Sequence, residues 1–232
     1  MKEKRRARAC ALILTGFLLL LCFYVKKVSV KQEISTGAKS VKPVVVLDPG
    51  HGGIDPGKVG VSGSYEKDIN LSIAKCLKKY LEKKKVSVVM TREEDAGLYT
   101  EGDRNKKSAD MRARMELMNQ PEVALIVSIH QNSFTSPGSK GAQVFYHALS
   151  EKGERFANRL QEILISEVDA ENHRQAKAND SYYILKKSEK TAVIVECGFM
   201  SNPEEEKMLL EPEYQEKLAQ AIGKGILEYL SE

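Results

Sequence analysis

Four residues stand where chemistry is possible. His51 follows an apolar, β-branched run in "PVVVLDPGHGGIDPG" (43–57). Glu66 opens the segment "YEKDINLSIA", His130 ends the run in "ALIVSIHQNS", and Glu196 ends the run in "AVIVECGF". Imidazole nitrogen and carboxylate oxygen are zinc donors, and a catalytic zinc site takes three protein ligands and keeps a fourth position open. His51, Glu66 and His130 make such a set. Glu196 is then a non-ligating carboxylate, suited to take a proton from water and return one to a leaving group. A glutamate closing a strand as apolar as "AVIV" is not an ordinary surface residue.

Each residue also has a bland reading. A lone histidine after a strand is commonly a solvated loop residue, and a glutamate at a helix start favours the helix dipole. Spacing alone leaves the two readings open. A phosphate cradle fares worse. "GGIDPGKV" (52–59) fits G-x-x-x-x-G-K, but Val59 stands where a magnesium-binding Ser or Thr is needed, and the helix signal starts only near Glu66. His147 and His173 read as surface or loop residues. Cys197 is expected in the core, because strand alternation turns it from the face Glu196 occupies.

The elements that must position these residues alternate in type. Strand-like runs are Val44–Leu47, Val86–Thr91, Ala124–Ile129, Ala142–Tyr146, Tyr182–Leu185 and Ala192–Val195. Helical patterns cover Glu66–Lys85 (Ile69, Ile73, Leu77 and Leu81 on one face), Ser108–Asn119, Glu154–Val168 and Pro212–Leu230, with a short helix capped by Asn202. This order predicts an α/β single-domain sandwich, a mostly parallel or mixed sheet flanked by helices. In such a sheet ligands bind beyond the carboxyl ends of the strands, where all four residues fall.

Ahead of the domain, five Lys/Arg precede a 17-residue apolar run, Ala9–Val25, with two lysines after it. The run meets the lower limit of about 17–25 residues for a spanning helix. It exceeds the about 7–15 of a signal-peptide core and lacks a small-x-small cleavage site, so residues 1–27 are expected to be a membrane anchor rather than a cleaved signal. Residues 28–42 read as a linker and 43–232 as the domain, on the outer side of the membrane. The first 31 residues carry eight Lys/Arg and one acid, which leaves the rest at −3 although the chain totals +4. The domain is therefore not basic, and no nucleic-acid partner is expected. Hydrophobic residues at 42% supply a core, and the domain's two cysteines, Cys76 and Cys197, make no disulfide framework.

At these residues the chain resembles the zinc-dependent N-acetylmuramoyl-L-alanine amidases of the Amidase-3 type. "VVLDPGHGGIDPG", "YEKDINLSIA", "LIVSIHQNSF" and "AVIVECGFMSNPEE" carry the match in order, supported by "RARMELMNQ" and "KGAQVFYH", over roughly residues 43–230. The short architecture and "YYILKKSEKTAVIVECGF" look most like the family's sporulation branch. The resemblance implies one Zn2+ on His51, Glu66 and His130, with Glu196 as acid/base and Asn132 as a helper at the oxyanion. It implies peptidoglycan as partner, in vegetative wall or spore cortex. Membrane attachment through the N-terminal segment is a further expectation, as is an activating partner protein that secures the metal. Another wall-directed zinc hydrolase or a non-catalytic wall-binding module are the competing classes. Gln131 departs from the small residue usual after the histidine, which predicts a narrowed site or a substrate contact. The glycines of 50–57 are expected to leave room for a glycan strand.

Overall fold

The computed structural model describes residues 43–232, which lie in one compact unit, Lys42–Glu232. The anchor (1–27) and the linker (28–42) expected from the sequence lie outside the described residues. The elements are β1 (Val44–Pro49), α1 (Glu66–Lys83), β2 (Ser87–Met90), α2 (Lys106–Met118), β3 (Val123–Asn132), β4 (Gln143–Tyr146), α3 (Glu151–Glu167), β5 (Lys177–Ala178), α4 (Tyr183–Lys187), β6 (Thr191–Phe199), α5 (Pro203–Leu210) and α6 (Pro212–Leu230).

The six strands pair in the order β2-β1-β3-β6-β4-β5. β2, β1, β3 and β6 are mutually parallel, and β4 runs antiparallel to β6, so the sheet is mixed. Strand side chains alternate between faces, and the cores divide by that parity. Val45, Leu47, Leu125, Val127, Val193, Val195 and Cys197 pack under α1, α3 and α6, whose stripes (Ile73 and Leu77, Leu160 and Leu164, Leu218 and Ile222) are fully buried. Val46, Ile126, Ala192 and Ile194 pack under α2 and α4 through Met115, Met118, Ile184 and Leu185. The first face carries three long helices. The second carries one of 13 residues and one of 5.

α1 forms because its i, i+4 apolar stripe meets that first face, with Glu66 and Asp68 favourable in its opening turn. It stops before Lys85, which takes the left-handed conformation at φ 62°. One sequence expectation fails. Tyr182–Leu185 is not a strand: the Asn179 side chain accepts from Ser181 and Tyr182 N–H, turns the chain, and starts α4. Its i→i−4 bond from Lys186 N–H to the Tyr182 carbonyl and two closing lysines hold that single turn. β5 lies in the stretch 169–181, where two exposed edge residues give no hydrophobic signal.

At the carboxyl end of β1 lies a buried ionic knot. Arg114 of α2 donates to Asp48 Oδ1 (2.6 Å), to Asp110 Oδ2 (2.7 Å) and to the carbonyls of Pro49 and His51 (3.0 and 2.7 Å). Thr91 and Ser128 hydroxyls donate to the same Asp48 carboxylate. Burial would raise the Asp48 pKa, but the Arg114 charge and the two hydroxyls hold it below the ordinary aspartate range. Removing one partner leaves a buried charge, so Arg114→Met is expected to cost about 3–5 kcal/mol in urea denaturation. Because the folded-state pKa is depressed, the Asp48 contribution is complete above about pH 4 and is lost as pH falls through the lower folded value. Asp48→Asn should flatten that acid limb of the stability–pH curve.

Candidate metal and acid–base site

The four residues converge at the carboxyl edge of the sheet. His130 lies within β3 and Glu196 within β6, as directly paired neighbours, because β3 runs two residues past His130 and β6 three past Glu196, further than the apolar runs alone suggest. Paired residues of parallel strands share a face, here the one covered by α2 and α4. His51 follows β1 and Glu66 is the first residue of α1.

His51 has φ 62°, a left-handed conformation that costs a non-glycine residue of order 1–3 kcal/mol. Arginine holds the loop there. Arg114 binds the His51 carbonyl, while Arg92 donates to the carbonyls of Pro49 and Gly50 (both 3.0 Å) and of Lys67 (2.8 Å). Asp55 sits 3.1 Å from His51 Nδ1 and fixes the ring, so that Nε2 meets Glu66 Oε2 at 3.2 Å. His130 Nδ1 lies 3.0 Å from Glu66 Oε1, and the two imidazoles meet edge to face at 5.0 Å.

Glu66 is not an exposed dipole partner: it is 2% exposed. Its Oε1 accepts from Gln131 N–H and Asn70 Nδ2, and its Oε2 from Lys58 N–H. Burial would raise its pKa, but hydrogen bonds and charge from His130 and His51 drive it far below the carboxylate range. Burial would lower the His130 pKa, yet Glu66, with Glu196 and Asp48 beyond it, raises it to about 9. Glu196 goes the other way. Burial and the Glu66 charge raise its pKa, against partial relief from His130 and a Tyr182 hydrogen bond. Tyr182 Oη donates to Oε1 at 3.2 Å, and the buried Oε2 has no partner.

His51, Glu66 and His130 each offer a donor atom, all within 4.8 Å of one another. The two imidazoles reach different oxygens of the one carboxylate, at 3.2 and 3.0 Å. The donor set, two imidazoles and a carboxylate, fits zinc chemistry.

Other expectations are redirected. Gln131 neither narrows the site nor faces substrate: its parity turns it to the α1 side, where Nε2 donates to Asn70 Oδ1 behind Glu66. Gly50 and Gly57 make room for the donors, not for a polymer. A Cβ on Gly50 would lie 2.2 Å from the His130 ring, and one on Gly57 (φ 68°) 2.5 Å from Glu66 Oε2. Asn132 turns Oδ1 to Ser133 N–H. His147 pairs loosely with Asp180 at 3.7 Å, His173 is exposed, and Cys197 is fully buried in the first core. Sequence reasoning missed Arg92, Arg114, Asn70 and Tyr182. Only "RAR" at 112–114 and the doubled tyrosine offered a signal.

The Amidase_3 family profile, described as N-acetylmuramoyl-L-alanine amidase, matches residues 45–228. The chain is 36% identical to the germination-specific N-acetylmuramoyl-L-alanine amidase of Bacillus subtilis (strain 168), over 94% of this chain and 93% of that one. It is 30% identical to N-acetylmuramoyl-L-alanine amidase AmiA of Escherichia coli (strain K12), over 81% and 76%. Among solved structures it resembles the CwlD amidase from Clostridioides difficile, in complex with the GerS lipoprotein. The TM-score is 0.79 and identity 39%, covering 82% of this chain and 98% of that one.

Gly57→Ala tests the donor geometry without activity. The methyl group intrudes between His51 and Glu66, so zinc affinity of the dialysed protein should fall at least about tenfold, read by metal analysis, with the circular dichroism of the fold retained.

Proposed function

This chain belongs to the N-acetylmuramoyl-L-alanine amidases, hydrolases of cell-wall peptidoglycan, and from that membership we propose that His51, Glu66 and His130 hold one zinc while Glu196 is the catalytic acid/base. The observation that carries the reading is the pairing of Glu196 with His130 across β3 and β6, beside three donors within 4.8 Å. The bond cleaved joins the lactyl group of N-acetylmuramic acid to L-alanine.

Zinc bound there supplies Lewis acidity to the scissile carbonyl and to water. Glu196, its pKa raised by burial, is basic enough to take the proton of the attacking water. It then returns a proton to the alanine nitrogen as the C–N bond breaks. Tyr182 is a positioning residue: its hydroxyl occupies Oε1, leaving Oε2 as the basic oxygen. Asn132, two residues beyond His130 on β3, has its amide N–H2 left to donate to the carbonyl oxygen.

The protein works outside the cytoplasm, where its substrate lies. We place the domain at 43–232, behind a linker (28–42) and an anchor in residues 1–27. Likeness to a germination-specific amidase and to CwlD supports spore cortex as the substrate. The CwlD complex with a lipoprotein supports an activating partner for this chain as well.

Digestion of isolated peptidoglycan with zinc, with and without candidate partners, should release intact stem peptides by mass analysis. Glu196→Gln should lose cleavage and keep zinc, whereas His51→Ala should lose both; wild-type cleavage by the Gln variant overturns the mechanism. Tyr182→Phe removes a hydrogen bond to a charged group worth about 1.5–3 kcal/mol. It should lower kcat about 10- to 100-fold with KM and zinc content unchanged.

A further inference from the structure

Beside His51 and His130, on the α2 and α4 side of the sheet, lies a cavity of about 190 Å³. Most of its lining is apolar, with Ile54, Met111, Ile184 and Ile194 and the rings of Tyr99 and Tyr183, and Lys106 and Lys107 line it alongside the carboxylates of Asp55 and Asp110. Pockets that enclose whole small ligands run to about 300–1,000 Å³, so this one takes an arm of a larger substrate. Resting on the amidase reading, we propose that the cavity receives the peptide arm, and that Lys107, assisted by Lys106, reads a carboxylate on it.

Charge decides between the two arms that meet at the scissile bond. The glycan arm is a chain of neutral N-acetylated sugars, whereas the peptide arm carries free carboxylates. The third lining cation, Arg114, is committed to Asp48 and Asp110. The lysines are not committed in that way. Lys107 Nζ lies 3.1 Å from Asp55 Oδ1 and its side chain is 66% exposed. Lys106 pairs with Glu101, itself 93% exposed, and lies 5.3 Å from the centroid of the Tyr99 ring. Exposed ion pairs are held weakly against water, and each ammonium has three donors. Both can therefore take a further carboxylate.

Position supports the same arm. Asp55 touches Lys107 with Oδ1 and His51 with Oδ2, each at 3.1 Å. The Lys107 ammonium is thus one carboxylate away from a zinc donor, close enough for a group one or two residues along the peptide. Tyr99, whose hydroxyl accepts from Ile54 N–H, fixes the loop that forms the near wall.

The test is direct binding to the full-length protein, by calorimetry or NMR titration. The probes are the tripeptide L-Ala-γ-D-Glu-L-Lys and the same peptide with both carboxyls amidated. Wild type should bind the free acid about tenfold more tightly, as a charge-assisted contact at a partly exposed site gives. Lys107→Ala should erase that preference by weakening the acid alone, and Lys107→Arg should retain part of it. A disturbance relayed through Asp55 to His51 would weaken both peptides equally and would overturn the proposal. So would equal or absent binding of the two by wild type, or a preference that survives in the Lys106→Ala/Lys107→Ala double variant. Release of stem peptides from peptidoglycan by wild type is scored separately. Cleavage without carboxylate preference removes the subsite and leaves the reaction, and preference without cleavage removes the reaction.

Discussion

One buried guanidinium organises the site. Arg114 is 1% exposed and binds Asp48 at the end of β1, Asp110 on its own helix, and the carbonyls of Pro49 and His51. Buried ion pairs contribute little net stability, because desolvation offsets the Coulomb gain. What this pair gives is position. The loop after β1 must leave the sheet, turn through a left-handed histidine and present an imidazole inward, a path with few backbone partners of its own. Arg114 and Arg92 supply donors to successive carbonyls of that path, and so hold a conformation that His51 would not adopt alone.

The sheet's two faces then divide the labour. Long amphipathic helices seal one face, whose strand residues are mainly aliphatic, with Gln131 meeting Asn70 at its carboxyl edge. The other face carries Asp48, Ser128, His130 and Glu196 by the same alternation, and only short helices cover it. The gap between α2 and α4 is the cavity, opening beside His51 and His130. Period-two alternation thus places stability on one side of the sheet and chemistry on the other.

This explains what was legible in the sequence. Apolar runs and the i, i+4 stripe of α1 report burial directly, so the parallel strands and long helices could be read. His51, Glu66, His130 and Glu196 could be found because each interrupts an apolar pattern at a strand or helix end. The support beneath them could not. Arg114 is one of four Lys/Arg in "KKSADMRARMELM", and nothing local says that it is buried against Asp48, 66 residues away. Tyr182 was misread with its segment, because Ile184 and Leu185 are adjacent and both buried, a pattern that a single helical turn and a short strand share. The glycines were legible as needing space, but not whose space: only coordinates show imidazole and carboxylate filling it.

The two glutamates show how environment assigns roles to identical side chains. Both are nearly buried, at 2% and 6% exposure, so burial pushes both toward the neutral form. Glu66 meets two imidazoles, two backbone N–H groups and the Asn70 amide, and the sum reverses that push. Glu196 meets one tyrosine hydroxyl and keeps an unpartnered oxygen, so the push prevails. A carboxylate that stays ionised while surrounded by donors suits a ligand. One that is costly to ionise and has a free oxygen suits proton transfer. Exchanging their hydrogen-bond partners, rather than the residues themselves, would exchange their chemistry.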